Sequence, residues 1–266
     1  MWFDTTNNSG QWIFSSAGSV QETGVSVTVD VTKRATTITA PGHGLVAYDR
    51  FWIQSELNAH SASAGEDRLG DTTLTAENRF TEPLNVRSVA GDVVTLEEAT
   101  HYAYATANSA KIWKSTPIVN AGVVGFRARG GSSFGIRFIN CENVRIEACE
   151  IETTQTSVGG IYNLSMGVRS HIRDCVSVAP DGSLIRHNQI LYACFQCSVE
   201  NGEARGGYHF CDMATGNDLM PGTTDMKKSG PYREDSVRFA KAWGVNTPFR
   251  AHPGGDGYSF IGCAAT

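Results

Sequence analysis

Five side chains that could bind a charged ligand follow short β-type segments. Four are spaced 25, 24 and 23 residues apart and the fifth follows a longer interval: Arg137, Tyr162, Arg186, His209 and Arg250. Each comes directly after the central apolar residue of its segment, so alternation along a strand predicts that it points outward. Strands stacked about 4.8 Å apart would align the five side chains in one row. Since arginine pairs bidentately with carboxylates and tyrosine offers a flat face, the row would suit an extended acidic glycan. The alternative is a solvated surface whose arginines pair weakly with nearby acids.

Three carboxylates near this row are candidates for hydrolytic chemistry: Asp181, Glu203 and Asp212. Glycoside hydrolysis needs two carboxyl groups, about 5–5.5 Å apart for retention or about 6.5–9.5 Å apart for inversion. Asp212 is the preferred candidate, because it follows the His209 segment and opens a long acid-rich stretch. The alternative is a structural role in turns, for which Asp181-Gly182 has a typical sequence.

Elimination from a polyuronate is a second possible chemistry. It needs a group that neutralises the substrate carboxylate, here Arg186, and a base, here His209 or Tyr162. A histidine in a strand can equally be a surface residue or a satisfied hydrogen-bond partner. His43, which lies between Gly42 and Gly44, is predicted to belong to a turn.

A repeat after residue 118 predicts the elements that would position these side chains. The β-type segments of two series recur at intervals of 23 to 26 residues, and both series resume after an interruption at about residues 212 to 234. A period of this length, with short strands and no helical pattern, is typical of a parallel β-helix whose coils stack on one another. The sequence therefore predicts an all-β solenoid with a long loop at about 212–234.

Residues 25 to 114 break this period with alternating runs of their own, such as Val25–Val29 and Val93–Leu96. We therefore expect the β-helix to begin in residues 1–24, a small β domain to be inserted at 25–114, and the remaining coils to occupy 115–266. Within the inserted domain, the small and polar composition of residues 55 to 79 predicts an exposed loop.

The seven cysteines are expected to be reduced and buried. Cys149, Cys175, Cys197 and Cys263 each lie three residues after an apolar residue, which predicts that they stack in one corner of the coils. The Cys194-Phe195-Gln196-Cys197 motif is accordingly interpreted as core, not as a metal or redox site. No nucleotide-binding or EF-hand motif is present, so we expect no obligatory cofactor and no metal.

The charge and hydropathy patterns exclude two classes of partner. The chain has 266 residues, with 22 basic and 27 acidic side chains and a formal net charge of −5. An acidic balance without a basic face argues against nucleic acid as a ligand. The longest apolar runs fall far short of the roughly 20 residues that cross a bilayer, so membrane insertion is not expected.

Several segments resemble a known superfamily. The stretches at 41–45 (PGHGL), 49–53 (DRFWI) and 86–96 (VRSVAGDVVTL) resemble the small domain inserted in many bacteriophage tailspike and pectate-lyase-like β-helix proteins, and 135–144 (GIRFINCENV) is similar to their coils. The resemblance implies a right-handed, single-stranded parallel β-helix, a bacterial surface polysaccharide as ligand, and a homotrimer in the virion tail that acts outside the cell. Other tail proteins are possible partners. The residues before Trp2 do not resemble a virion-anchoring domain and the last coil, at 260–263, does not resemble a cap, so we expect either a fragment or an end that a partner chain covers.

Three functions are consistent with these features. The leading hypothesis is a virion-associated tailspike or tail-fibre β-helix that binds bacterial surface polysaccharide. One version of this hypothesis adds that the protein depolymerises the polysaccharide. The first alternative is a noncatalytic structural module of a tail fibre or spike. The second is a free bacterial polysaccharide lyase or epimerase. Whether the protein is an enzyme is left open by the sequence.

Overall fold

A computed structural model describes residues 3–4, 9–55, 80–130, 132–154, 160–180, 187–214, 219–226, 234–245, 247–251 and 258–266. In chain order its strands are β1 (Phe3–Asp4), β2 (Ser9–Ala17), β3 (Ser19–Val20), β4 (Val25–Ser26), β5 (Thr37–Thr39), β6 (Arg50–Ser55), β7 (Phe80–Ala90), β8 (Val93–Leu96), β9 (Lys111–Thr116), β10 (Ile118–Val119), β11 (Gly122–Val124), β12 (Arg127–Arg129), β13 (Ser132–Glu142), β14 (Arg145–Glu147), β15 (Glu150–Glu152), β16 (Gly160–Val168), β17 (His171–Arg173), β18 (Val176–Val178), β19 (His187–Tyr192), β20 (Ser198–Glu200), β21 (Glu203–Arg205), β22 (His209–Ala214), β23 (Ser236–Arg238), β24 (Lys241–Trp243), β25 (Thr247–Ala251), β26 (Ser259–Ile261) and β27 (Ala264–Ala265). A short 3₁₀ helix spans Thr106–Asn108. Across the described ranges, no helix is long and apolar enough to cross a membrane.

Three parallel sheets form a solenoid, which confirms the predicted fold class. Sheet I has the order β1-β12-β15-β18-β21-β24-β27, and sheet III has the order β11-β14-β17-β20-β23-β26. Sheet II has the order β10-β13-β16-β19-β22-β25, and β2 also pairs with β13. Each coil contributes one strand to sheet II, then one to sheet III and one to sheet I, so successive strands of a sheet come from successive coils.

The corner between sheets III and I is built from residues with left-handed backbone. The corner positions have φ between 48° and 68° in successive coils: Gly125, Ala148, Asp174, Asn201, Phe239 and Gly262. This conformation turns the chain while its N–H groups continue the ladder between coils, as when Ala148 donates to the Arg173 carbonyl at 3.0 Å and Asp174 donates to the Glu200 carbonyl at 2.9 Å. The corners therefore satisfy their backbone groups in the same way as the strands do.

The outer face of sheet III carries a row of alternating charge. In register, Glu147 is followed by Arg173, Glu200 and Arg238 on successive coils. The Glu147 carboxylate accepts hydrogen bonds from Arg173 and, at 2.8 Å, from His171 Nε2. These bonds, that from Arg173 above all, lower the pKa of Glu147.

The solenoid core is apolar and includes buried cysteines. The middle residues of the sheet III strands point inward and stack in register: Val123, Ile146, Ile172, Val199, Val237 and Phe260. Cys149, Cys175 and Cys263 occupy one corner, where each thiol donates to the carbonyl of such a residue in the preceding coil, at 3.4 to 3.6 Å. The prediction that they share a corner is confirmed for these three.

Cys197 was wrongly placed in that corner. It lies at the preceding corner, between sheets II and III, where its Sγ is 3.4 Å from the N–H of Ser170. Both Cys194 and Cys197 are free thiols and fully buried, as expected for core residues.

A second compact unit comprises Gly18–Pro117 together with Thr215–Pro231. Its antiparallel sheet has the order β3-β9-β6-β7-β8-β5, and β4 also pairs with β9. The unit thus begins and ends a few residues outside the 25–114 boundaries expected from the sequence, and it includes part of the 212–234 interruption. Asp225 connects that part to the rest of the unit, because its carboxylate accepts hydrogen bonds from Lys111 Nζ at 2.8 Å and Trp113 Nε1 at 2.9 Å.

His43 has the predicted place in a turn. Gly42 and Gly44 on either side of it have φ of 75° and 63°. The His43 Nδ1 accepts a hydrogen bond from the Leu45 N–H at 2.8 Å, and Nε2 lies 3.2 Å from the Gly91 carbonyl. The ring therefore closes the turn with both of its nitrogens.

Candidate functional site

The outer face of sheet II is the surface on which the sequence places a ligand. Strand register aligns five positions across successive coils on this face: Arg137, Asn163, Ile190, Asp212 and Arg250. The residues before them align on the inner face: Ile136, Tyr162, Gln189, Cys211 and Phe249. Two residues of the predicted row, Arg137 and Arg250, therefore occupy aligned register positions, and Asp212, which was predicted as a catalytic acid, occupies another position of the same register.

Arg137 is held in place by two side chains of β2. Its Nε donates to Ser15 Oγ at 3.1 Å, and its guanidinium carbon lies 4.7 Å from the centre of the Trp12 ring. Half-burial of the side chain lowers the pKa of Arg137, although an arginine stays charged at neutral pH. The result is a pre-positioned cation at one end of the row.

Next to Arg137 in register is Asn163, a half-buried amide. Its Oδ1 accepts a hydrogen bond from Ser165 Oγ at 2.7 Å. Ile139, Ser165 and Ile190 belong to the same outer face and are nevertheless buried. The face is therefore sheltered near its middle, and Arg137 and Asn163 are its accessible polar groups among the described side chains of the row.

Tyr162 does not point outward, contrary to the sequence prediction. Its side chain is 0% exposed and lies in the inner row between Ile136 and Gln189. The hydroxyl donates to the Val176 carbonyl at 2.7 Å. Burial raises the pKa of Tyr162 well above its ordinary value, so the side chain stays protonated and cannot serve as a base for elimination.

His209 is also not an outward group. It is 3% exposed, and its ring meets the Tyr208 ring edge to face at 4.4 Å between centres. His209 lies two residues before Cys211 on β22. Because side chains alternate along a strand, His209 is on the same inner face as Cys211. A buried ring of this kind cannot reach a polysaccharide on the outer face.

The candidate carboxylates are not all brought together. Glu203 lies on β21 of sheet I and accepts two hydrogen bonds from Arg205, from Nε at 2.7 Å and from Nη2 at 2.6 Å. Asp212 lies on β22 of sheet II, directly beside Arg250 in register. Glu203 and Asp212 therefore belong to strands of two different sheets. Asp181 and Arg186 lie outside the described residues.

Two contributors to the sheet II face were missed at the sequence level. Trp12 was identified only as part of an apolar strand, and Asn163 was hidden because the segment at 159–163 was aligned on the wrong residue. Only the register of β2 with β13 shows that Trp12 lies beside the first complete coil, and the sequence alone does not reveal that register.

Comparisons with known proteins support the fold. No protein-family model matches the sequence, and no curated protein matches it. Among solved structures, the tailspike gp49 of Pseudomonas phage LKA1 matches 95% of this chain with 16% identity and a TM-score of 0.62. The tailspike gp61 of Pseudomonas phage phi297 matches 88% with 15% identity and a TM-score of 0.57.

A third solved structure is the gp54 tailspike of Acinetobacter baumannii bacteriophage AP22, in complex with A. baumannii capsular saccharide. It matches 99% of this chain with 14% identity and a TM-score of 0.63. The present chain spans only 38 to 43% of the length of these three tailspike chains. At these identities the likeness establishes the β-helix fold of the tailspikes.

Proposed function

We propose that this chain is a β-helix of a phage tail that binds a bacterial surface polysaccharide, acting outside the bacterial cell. The observation that carries the proposal is the tailspike fold, matched over 88 to 99% of the chain. One of these relatives in fold was solved with a capsular saccharide. A homotrimeric assembly is part of the proposal, and a monomeric mass in sedimentation would contradict that part.

The polysaccharide would contact the outer face of sheet II. Arg137 supplies a guanidinium that already rests on Trp12 and is bonded to Ser15. Because the side chain is fixed before the ligand arrives, little rotamer entropy is lost when it pairs with a sugar carboxylate. Asn163 adds an amide one coil further on, and the backbone register places Arg250 four coils from Arg137, about 19 Å along the stack. This spacing favours an extended acidic chain over a single sugar.

Binding of purified capsular and exopolysaccharides, followed by calorimetry, tests the proposal. A charge-assisted hydrogen bond contributes about 1.5–3 kcal/mol, so Arg137→Ala should weaken binding by about 10- to 150-fold. The matched control is Arg145→Ala, since Arg145 is an exposed arginine on sheet III, 3.8 Å from Glu147. Equal affinities for the two variants would rule out the sheet II face.

Cleavage is a separate matter from binding. Reducing ends and the absorbance of unsaturated uronates are measured in the same samples. Reducing ends alone would indicate hydrolysis and direct attention to Asp212, whereas both signals would indicate elimination. Binding without either signal would define a receptor-binding module, and no binding to any polysaccharide would favour a structural tail module.

A further inference from the structure

A strip of aromatic and basic side chains lies on a different surface from the proposed polysaccharide face. It is formed by one coil as the chain leaves sheet III and crosses sheet I: Arg238, Phe239, Lys241 and Trp243. Phe239 is 59% exposed and Trp243 is 38% exposed, which is unusual for large aromatic side chains on two neighbouring elements. Their Cα atoms are at most about 14 Å apart, the span of four extended residues.

The backbone at Phe239 is held in a conformation that disfavours its side chain. Phe239 has a φ of 53°, and the equivalent corner positions are occupied by Gly125, Ala148, Asp174 and Gly262, among others. A bulky residue with positive φ is uncommon and costs free energy, and such residues concentrate at functional sites. Nothing in the turn itself requires a ring, because small residues make the same turn in the other coils.

The coil that follows leaves the aromatic side chains uncovered. In register, Lys241 lies beside Ala264. The Phe239 N–H donates to the carbonyl of Ile261, the residue before Gly262. A Cβ at Gly262 would be 2.8 Å from Cδ1 of Phe239, so the ring rests directly over a residue that has no side chain. In the next coil the strip is therefore bordered by Gly262 and Ala264, together with Ile261, which lies beside Arg238 in register.

The coil before the strip offers polar groups. In register, Trp243 lies beside Arg205 and Lys241 lies beside Glu203. The Glu203 carboxylate is neutralised by its two hydrogen bonds from Arg205. Neither Arg238 nor Lys241 uses its side chain in an ion pair or hydrogen bond with any residue that the structure describes. Arg238 lies beside Glu200 in register, so the strip presents two cations, each next to a carboxylate of the preceding coil, beside two aromatic faces.

We propose that this strip is a second carbohydrate-binding site, which binds an acidic oligosaccharide through ring stacking on Phe239 and Trp243 and ion pairing with Arg238 and Lys241. Sugar rings have an apolar face that stacks on aromatic side chains, and sugar carboxylates need cations. A second copy of this acidic chain is a poorer occupant, because two rings and two cations are far smaller than the roughly 1,000 Å² that a stable protein interface buries. The site is independent of the sheet II face.

The test uses hexameric oligogalacturonate, oligoalginate and oligosialate, with a neutral dextran oligomer of the same length for comparison. Binding to the full chain is followed by saturation-transfer NMR and calorimetry. We expect at least one acidic oligomer to bind, more weakly as salt is added, while the dextran binds less well. Trp243→Ala should weaken this binding about tenfold or more, and Lys241→Gln should reduce its salt dependence.

Two controls separate this site from the rest of the molecule. Tyr48→Ala removes an aromatic side chain that is 83% exposed at a φ of 69° in the second unit, and it should leave oligomer binding unchanged. Arg137→Ala should also leave binding at the strip unchanged, so failure of the sheet II proposal does not decide this one. No binding to any acidic oligomer, or binding that Trp243→Ala leaves intact, would overturn the inference. A change in the sedimentation mass on Trp243→Ala would identify the strip as a subunit contact and overturn it equally.

Discussion

Replacing Tyr162 by phenylalanine removes one oxygen atom from the core of the solenoid and changes little else. The side chain is 0% exposed, and its hydroxyl donates to the Val176 carbonyl at 2.7 Å. A buried hydrogen bond of this kind contributes about 1 kcal/mol net, and leaving a buried polar partner unsatisfied raises the cost to about 1–3 kcal/mol. In a protein of this size each kcal/mol corresponds to roughly 2–4 °C in Tm. We therefore expect Tyr162→Phe to lower Tm by roughly 2–12 °C.

Guanidinium chloride unfolding, followed by circular dichroism, measures the change in free energy. The control is Tyr48→Phe, because Tyr48 is 83% exposed and the loss of a solvated hydroxyl should change stability by less than about 0.5 kcal/mol. Below the unfolding transition, Tyr162→Phe should bind polysaccharide as the unmodified chain does. Unchanged stability together with a clear loss of polysaccharide affinity would refute the reasoning, since that is the behaviour of an outward-facing Tyr162.

Two further predictions concern backbone packing and pH. Gly135→Ala would place a Cβ 1.8 Å from the carbonyl oxygen of Ile161 on the neighbouring strand, so we expect a loss of about 3 kcal/mol or more, and a thermal melt like that of the unmodified chain would contradict the packing. Asp235 is fully buried, and burial raises its pKa well above the ordinary value, so the folded state holds a proton that the unfolded state releases at about pH 4. The free energy of unfolding should therefore fall as pH rises from about 4 through the raised pKa. Asp235→Asn should reduce that fall. Parallel pH profiles of unfolding free energy for the two proteins would show the reasoning to be wrong.

The solenoid could be predicted because its repeat is visible in the residues that fill the core. In sheet III the pairing of Ile146 with Ile172 follows directly from the apolar pattern, and the structure has these residues in register. Buried apolar residues at one position per coil are required by the stacking itself, so they recur whatever the surface does. The same argument placed Cys149, Cys175 and Cys263 correctly in one corner, but it also placed Cys197 there, which lies at the preceding corner.

The outward row could not be predicted, because coils differ in length between Ile136 and Cys211. The aligned core positions Ile136, Tyr162, Gln189 and Cys211 are separated by 26, 27 and 22 residues. Aligning Ile161 instead of Tyr162 with Ile136 shifts the register by one residue, and such a shift moves every side chain to the opposite face of the sheet. A tyrosine and a glutamine in the core also conceal the pattern, since only the folded structure shows that the Tyr162 hydroxyl has a partner.

The charged row on sheet III repeats every two coils, although the backbone repeats with every coil. Glu147, Arg173, Glu200 and Arg238 alternate in sign, so each charge has an opposite charge in a neighbouring coil. Loss of the coil that carries Arg173 would set Glu147 against Glu200, and like charges directly opposite one another are destabilising. Loss of two adjacent coils would instead bring Glu147 to Arg238 and preserve the alternation. As far as this row of charges is concerned, adding or removing a pair of coils keeps opposite charges next to one another, whereas adding or removing a single coil does not.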